Sequence, residues 1–216
     1  MVNYANRQQA GQVLADLLWD DYALKENSLI LALPRGGVPV AYEIAIKLSL
    51  PMDIFIVRKL GVPEHEEYAL GAIASGGVIF FNEELVHGLH INSTAINEVL
   101  QKEEQELERR DKVYLGNKSP LQLTGKNVIL VDDGIATGYT MRAAIVAVKQ
   151  KNPAELIVAV PVAARSTCAE MASLVNKIIC PLQPANLYTV GLWYDDFSQT
   201  SDEEVMHLMT TLSSTH

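Results

Sequence analysis

The stretch Val128-Ile129-Leu130-Val131-Asp132-Asp133-Gly134-Ile135-Ala136-Thr137-Gly138-Tyr139-Thr140 decides the fold of this chain. Its apolar residues predict a buried strand, followed by two adjacent carboxylates and a loop of small residues that opens a helix. Ligands of open α/β sheets bind at the carboxyl ends of the strands, and the unpaired N–H groups of a helix N-terminus attract phosphate. The two acids repel phosphate and suit hydroxyls, or a metal bridging to hydroxyls. Phosphate beside hydroxyls describes a ribose 5-phosphate.

The composition is that of an ordinary globular protein. The 216 residues fit one domain, and 49% are hydrophobic. A formal net charge of −9 argues against binding nucleic acid or an anionic membrane surface. No apolar run approaches the roughly 20 residues that span a bilayer, and no signal peptide is visible. The two cysteines have no metal-ligand spacing, so we expect reduced thiols and a cytoplasmic location.

Apolar periodicity predicts strands that alternate with helices along most of the chain. Helices are expected at 4–24, 38–48, 93–114, from the loop after 131 to about 151, and at 165–175 and 202–212. Strands are expected at 28–33, 53–57, 69–75, 78–82, 128–131, 155–162, 177–180 and 187–191, with a mobile loop at 61–68. This order predicts an α/β fold: a Rossmann-like, mostly parallel sheet flanked by helices on both faces. Without repeats or linkers, residues 1–216 form a single expected domain.

Two further motifs follow predicted strands and therefore lie at the same edge of the sheet. Pro34-Arg35-Gly36-Gly37 ends the first strand and opens a helix. Its glycines would let an anion reach backbone N–H groups, and Arg35 adds guanidinium donors. Arg58-Lys59 follows the second strand and precedes the predicted mobile loop, which favours a role in closing over an anion. The alternative is that both residues are ordinary solvated charges.

Together these motifs resemble those of the type I phosphoribosyltransferases. Residues 129–140 are similar to that family's signature for 5-phosphoribosyl 1-diphosphate (PRPP), and 34–37 to its diphosphate loop. Arg58-Lys59-Leu60-Gly61 resembles the flexible loop of adenine-type enzymes, and Val190-Gly191 with Asp195 resembles the C-terminal hood of hypoxanthine-type enzymes. The chain looks most similar to a group of uncharacterised bacterial phosphoribosyltransferases. The resemblance implies a core at about 25–180, a hood built from the N-terminal segment and residues of about 181–216, and a flexible hairpin loop.

The resemblance also implies an activity: Mg²⁺-dependent transfer of the 5-phosphoribosyl group from PRPP to a nitrogenous base, with release of diphosphate. The implied catalytic residues are Arg58, Lys59, Asp132 and Asp133. The implied ribose 5-phosphate site is Asp132, Asp133, Gly134, Ile135, Ala136, Thr137, Gly138, Tyr139 and Thr140, and the diphosphate site is Arg35, Gly36 and Gly37. Tyr188, Trp193 and Tyr194 are candidates for stacking on the base, although they could equally pack the hood. Asp195 is a candidate contact to Mg²⁺, through water.

The acceptor base stays open. Ala136 stands where the 6-oxopurine enzymes carry an acid, and Ala163 or Ala164 stands where they carry a lysine. Both departures argue against hypoxanthine and guanine, and Ala136 agrees with adenine-type and orotate-type loops. One of the loop acids Glu64, Glu66 and Glu67 could instead act as the general base.

Rival functions use the same fold. A PRPP-binding regulatory protein without transferase activity would use a basic face to contact nucleic acid, which the net charge of −9 disfavours. A diphosphokinase that makes PRPP needs an ATP site and usually a longer, duplicated chain, and no internal repeat supports it. A noncatalytic partner subunit with a decayed site is disfavoured because Asp132 and Asp133 are both present. The resemblance suggests a homodimer, with either the thin apolar stripe of 93–114 or the hairpin at 69–82 as its contact.

Overall fold

The computed structural model describes residues 3–63, 65–75, 77–81, 83–88, 92–114, 116 and 121–214, with side chains at all of these except 65–69, 83, 84 and 87. The helices are α1 (Arg7–Tyr22), α2 (Gly37–Leu48), α3 (Glu83–Gly88), α4 (Ser93–Tyr114), α5 (Tyr139–Lys149), α6 (Arg165–Leu174) and α7 (Asp202–Ser213). The strands are β1 (Ser28–Ala32), β2 (Met52–Ile54), β3 (Val57–Val62), β4 (His65–Ala74), β5 (Val78–Phe81), β6 (Asn127–Val131), β7 (Glu155–Ala159) and β8 (Lys177–Ile179). A 3₁₀ helix spans Val190–Trp193.

The main sheet has five strands in the order β2-β1-β6-β7-β8, and all of its pairings are parallel. Successive side chains of a strand point to opposite faces, so a strand buried on both faces reads as a continuous apolar run. In β6, Ile129 and Val131 pack in one core with α1, α2 and α7, whereas Val128 and Leu130 pack in a second core with α5 and α6. The predicted α/β fold, with helices on both faces, is confirmed.

A second sheet of three antiparallel strands, β3-β4-β5, stands apart from the main sheet. The predicted hairpin around residues 76–77 is confirmed in β4 and β5, although residues 76 and 82 lie outside the described residues. The predicted helix at 93–114 is confirmed as α4, which runs along this sheet. Its apolar stripe (Ile96, Val99, Leu100, Leu107 and Tyr114) belongs to the same core as Leu60, Leu70 and Ile73. Leu107 and Tyr114 are buried in this core, whereas Ile96, Val99 and Leu100 are only partly buried, and a role of the stripe in a dimer stays a prediction.

Three local predictions were wrong. The expected strand at 53–57 is divided between β2, in the main sheet, and β3, in the small one. The expected mobile loop at 61–68 is largely strand, because β3 continues to Val62 and β4 begins at His65. The expected strand at 187–191 is absent from the described residues, and a 3₁₀ helix begins at Val190 instead. Short runs without clear periodicity misled all three, since partner strands and not local sequence decide such segments.

Within the part of the chain that the structure describes, no helix combines the length and the apolar character required to cross a bilayer.

Candidate active site at the carboxyl edge of the sheet

Two loops meet at the carboxyl edge because their strands are neighbours in register. Ala32, the last residue of β1, pairs with Val131, the last residue of β6. The pairing continues one step further, where the Leu33 N–H donates to the Val131 carbonyl at 2.9 Å. Pro34-Arg35-Gly36-Gly37 and Asp132-Asp133 therefore begin side by side, as the sequence predicted from the topology of parallel strands. The Pro34–Arg35 peptide bond is cis.

The loop between β6 and α5 encloses a pocket of about 190 Å³. Its described lining residues are Asp132, Gly134, Ile135, Ala136, Thr137, Gly138, Tyr139, Thr140, Met141 and Val190. Gly138 precedes the first turn of α5 with φ of +80°, a conformation that glycine adopts without steric cost. The first N–H groups of a helix have no partner within it, and the positive dipole end lies with them. The exposed hydroxyls of Thr137 and Thr140 complete a lining suited to a phosphate monoester.

The two acids sit in different surroundings although they are adjacent. The Asp132 Oδ1 accepts from the Asp133 N–H at 2.8 Å, and the Asp132 side chain also lines the pocket. Burial, followed by the charge of Asp133, raises the pKa of Asp132 well above its ordinary value. Burial also raises the pKa of Asp133, but the guanidinium of Arg7 opposes that shift. Both carboxyls thus hold a proton more tightly than exposed aspartates do, and Arg7 keeps them nearer to ionised.

Arg7 is a functional candidate that sequence reasoning missed. It begins α1, whose cap residue Asn6 accepts from the Gln9 N–H at 2.9 Å. Its Nε and one terminal nitrogen each lie 2.8 Å from the Asp133 Oδ2, and its other terminal nitrogen donates to the Ser198 carbonyl at 2.7 Å. Its guanidinium lies 3.9 Å from the centre of the Phe197 ring. No local pattern marks Arg7, because it reaches Asp133 across 126 positions of sequence.

Gly36 and Gly37 are required by packing against the acids. A Cβ added to Gly36 would lie 1.9 Å from the Asp133 Oδ2, and one added to Gly37 would lie 2.7 Å from the Val131 carbonyl oxygen and 2.9 Å from the Asp132 Cα. The predicted approach of a diphosphate to backbone N–H groups is another reason for glycine at these positions. The close contact with the acids is an additional reason, and it joins the two loops into one unit.

Arg35 is held by the C-terminal helix. Its guanidinium lies 3.7 Å from the Asp202 Oδ1, in a partly exposed ion pair. The same Asp202 oxygen accepts a short hydrogen bond from the Tyr114 hydroxyl at the end of α4. Burial, followed by the bond to Asp202, raises the pKa of Tyr114 to about 12, so the phenol stays protonated as the donor. Asp202 thus competes with any anion that Arg35 would bind.

Arg58 and Lys59 lie within β3 and line a different cleft. This cleft has a volume of about 270 Å³ and is bounded by Arg58, Lys59, Gly61, Val62, Pro63, Val99, Lys102 and Glu103. The Arg58 guanidinium contacts the largely buried Glu103 of α4 at 2.6 and 2.8 Å. The sequence suggested that Arg58 and Lys59 follow the end of a main-sheet strand, and this prediction is wrong. The described residues that line their cleft do not include any that line the pocket beside Asp132.

With this geometry in view, comparison with known proteins decides the family. The phosphoribosyl transferase domain model matches residues 2–181. The chain belongs to the phosphoribosyl transferase domain family. The match ends at residue 181, before the 3₁₀ helix Val190–Trp193.

Two proteins and one solved structure illustrate what the chain is similar to. A Mycobacterium tuberculosis protein, provisionally named phosphoribosyl transferase Rv0571c, is 40% identical over 203 residues, which cover 94% of this chain and 45% of the relative. The chain thus spans under half the length of that curated relative. The crystal structure of TT1426 from Thermus thermophilus has a TM-score of 0.83 and 31% identity, covering 97% of this chain and 99% of that one. The bifunctional protein PyrR of Actinobacillus pleuropneumoniae is 43% identical over 51 residues, 24% of this chain and 28% of PyrR.

The hood aromatics divide into packed and exposed side chains. Tyr194 is buried, lies between the rings of Tyr4 and Phe197 at centroid distances of 5.5 and 5.0 Å, and donates to the Asp133 carbonyl at 2.6 Å. Of the two alternatives that the sequence left open for Tyr194, this burial favours packing of the hood over stacking on the base. Trp193 is partly buried in the same cluster, which also favours packing. Tyr188 is 88% exposed and remains available.

Asp195 is tied to the N-terminal segment. Its N–H donates to the Tyr4 carbonyl at 2.8 Å, and its carboxylate accepts from the Asn3 amide at 3.4 Å. Among the described residues, the lining of the pocket beside Asp132 does not include it. Over those same residues, no group of three or more His, Cys, Asp and Glu side chains could hold a metal ion. Mg²⁺ often uses one or two carboxylates together with water and substrate phosphates, and Asp132 in the pocket fits that requirement.

Proposed function

We propose that this chain binds PRPP across the two loops and transfers its 5-phosphoribosyl group to a nitrogenous base, releasing diphosphate. The single observation that carries this proposal is the pocket beside Asp132, which joins a carboxylate to the N-terminus of α5. A phosphate fits the helix end, and ribose hydroxyls fit the carboxylate. The family assignment and the glycine loop packed against Asp133 support the same donor.

The residues of the pocket would divide the work of donor binding. The N–H groups at the start of α5 and the hydroxyls of Thr137 and Thr140 would hold the 5′-phosphate. Asp132 and Asp133 would lie beside the ribose hydroxyls. In the transfer, the bond from ribose C1 to the diphosphate oxygen breaks, a bond from C1 to the acceptor nitrogen forms, and that nitrogen releases its proton. Positive charge develops on the ribose, and the two carboxylates supply a fixed negative field near it.

The departing diphosphate needs positive charge and backbone donors. Arg35 and the N–H groups of the glycine loop are placed for this role once Arg35 leaves Asp202. We assign Arg58 and Lys59 the same role only in a closed state, in which the small sheet moves and Arg58 exchanges Glu103 for the diphosphate. When bound, Mg²⁺ supplies further positive charge to the diphosphate, with Asp132 as its candidate protein ligand.

The acceptor site would lie under the hood, beside Val190 and the exposed Tyr188. Ala136 is exposed within the loop and offers no acid to take the proton of the base. We therefore place the general base outside the segment 134–138, which contains no acid. The loop acids considered earlier do not decide this, since Glu64 and the side chains of Glu66 and Glu67 lie outside the described residues.

The decisive experiment is a screen of purines, pyrimidines and related amines with Mg-PRPP, read as diphosphate release and paired with calorimetric titration of PRPP alone. We expect tight PRPP binding and release with at least one acceptor, both lost in an Asp132→Asn, Asp133→Asn variant. The matched control is the variant Asp16→Asn, Asp21→Asn, which changes two exposed side chains of α1. It should keep PRPP binding and diphosphate release. Binding without release for any acceptor would favour the regulatory alternative. Failure to bind PRPP would refute the proposal.

A further inference from the structure

The strongest unassigned feature is the guanidinium of Arg7, which lies where three segments of the chain converge. Its nitrogens contact the Asp133 carboxylate and the Ser198 carbonyl, and its flat face lies against Phe197. A Cβ on Gly36 would lie 3.3 Å from the Arg7 Nε, so the diphosphate loop also borders it. Its side chain is 12% exposed. All three nitrogens are already engaged, so Arg7 is poorly placed to bind a substrate anion directly.

The contacts to Asp133 come from both sides of the hood. Arg7 binds the carboxylate from the N-terminal segment, while Tyr194 donates to the main-chain carbonyl of the same residue at 2.6 Å. Both Arg7 contacts fall on one oxygen, Oδ2, which also faces Gly36. Arg7 thus restrains the side chain of Asp133, while Tyr194 restrains its main chain. An arginine suits this role because its planar fork places two donors at a fixed angle.

We propose that Arg7 is a positioning residue for the ribose site, which holds the carboxylate of Asp133 in the orientation that receives the ribose hydroxyls. Phe197 and the Ser198 carbonyl keep Arg7 in place, so the hood sets the geometry of the donor site. The inference rests on the proposed function, because it assumes that Asp133 meets a ribose.

If Arg7 positions Asp133 for the ribose, it should affect only the binding of ligands that carry ribose hydroxyls. PRPP and ribose 5-phosphate carry ribose hydroxyls, whereas inorganic diphosphate does not. Loss of the Arg7 contact should therefore lower the affinity for PRPP and ribose 5-phosphate. The affinity for diphosphate, which would bind at Arg35 and the glycine loop, should stay nearly unchanged. A merely structural role would disturb all three, since the glycine loop packs directly against Asp133.

The test uses the full chain and calorimetric titration of Mg-PRPP, ribose 5-phosphate and Mg-diphosphate. Arg7→Met should lower the affinity for PRPP and ribose 5-phosphate about tenfold, the scale of losing a charged hydrogen bond. It should change the affinity for diphosphate less than about twofold. Arg7→Lys keeps the charge without the fork and should weaken the ribose ligands about threefold. Arg109→Met, which removes an exposed guanidinium paired with Glu106 on α4, should change none of the three.

A second variant keeps the inference testable if Arg7→Met does not fold. Phe197→Leu retains Arg7 but removes the aromatic face beneath it, and should produce the same selectivity for ribose ligands at a few-fold scale. Unchanged PRPP affinity in both Arg7→Lys and Phe197→Leu would overturn the inference, as would an equal loss for diphosphate. Failure of the unmodified chain to bind PRPP would instead refute the proposed function, and this inference with it.

Discussion

The sheet edge and the hood form two halves of one candidate site, and they are built differently. At the edge, the acids, the glycine loop and the start of α5 are fixed by parallel strands in register. The hood has no named strand among its described residues from 182 to 200. Isolated main-chain hydrogen bonds hold it, such as Tyr4 N–H to the Trp193 carbonyl and Asp195 N–H to the Tyr4 carbonyl, together with a small side-chain cluster of Tyr4, Tyr194, Val162 and Phe197. The edge is thus ordered by continuous parallel strand pairing, whereas the hood combines isolated main-chain hydrogen bonds with side-chain packing. We expect donor binding to respond most to changes at the edge and acceptor choice to changes in the hood.

The largest expected effect is at the edge. Asp132→Asn removes the carboxylate that lines the pocket while keeping its shape, and should lower kcat/KM for PRPP about 100-fold, the scale of losing one preorganised electrostatic group. Steady-state rates of diphosphate release, with the acceptor identified by the screen, measure this. A loss below about threefold would mean that the edge does not carry the donor.

Gly36→Ala tests whether the two loops form one unit. The new Cβ would meet the Asp133 Oδ2 at 1.9 Å, so the loops must separate, with an expected destabilisation of about 1–3 kcal/mol. PRPP binding should weaken in parallel. Gly88→Ala is the matched control, since a Cβ there meets nothing within 4 Å. Urea unfolding and calorimetry check both variants, and equal behaviour of the two would contradict the close packing.

The buried acids predict an unusual pH dependence of stability. Because the folded chain raises the pKa of Asp132 well above 3.8, the native state binds a proton that the unfolded state releases. The free energy of unfolding should therefore fall as pH rises from about 4 through the folded pKa, by at most about 1.4 kcal/mol per pH unit for one proton. Asp132→Asn should flatten this fall. Urea unfolding measured at intervals from about pH 5 to about pH 8 would detect it, and a wild-type slope equal to that of the variant would argue against a raised pKa.

Asp202→Asn should have a smaller effect of opposite sign. It frees Arg35 from a partly exposed ion pair while leaving an acceptor for the Tyr114 hydroxyl. Exposed ion pairs contribute about 0–1 kcal/mol, so the affinity for inorganic diphosphate should rise about two- to threefold. Calorimetric titration with Mg-diphosphate measures the change. Weaker binding would indicate that Asp202 orients Arg35 instead of competing for it.

The smallest expected effect on the donor comes from the hood. Tyr188 is 88% exposed, so Tyr188→Ala should change PRPP affinity less than about twofold while raising KM for an aromatic acceptor about five- to tenfold, the loss of one stacking contact. Substrate-saturation curves separate the two effects. A large change in PRPP affinity would remove the division between edge and hood.

The sequence predicted the edge well because its signals are local. Buried strands, adjacent acids and a glycine before a helix each occur within a few residues, and parallel topology then places the loops together. It predicted the small sheet and the hood less well. Arg58 was expected at a strand end but lies inside β3, and the sequence left open whether Tyr194 stacks on the base or packs the hood, where it lies. Periodicity tells which residues are buried without telling what buries them.

By itself, the sequence determined the α/β class, the family and the stretch from Val128 to Thr140 where a phosphate would bind, because strand, turn and helix signals there are continuous in the chain. Only the tertiary structure decided how the acids are held. Arg7 and Tyr194 reach Asp133 from positions distant in sequence, Ser198 holds Arg7 in the same way, and Asp202 reaches Arg35. Such contacts depend on how the helices and the hood pack onto the sheet, and packing between distant segments leaves no periodic pattern in the sequence.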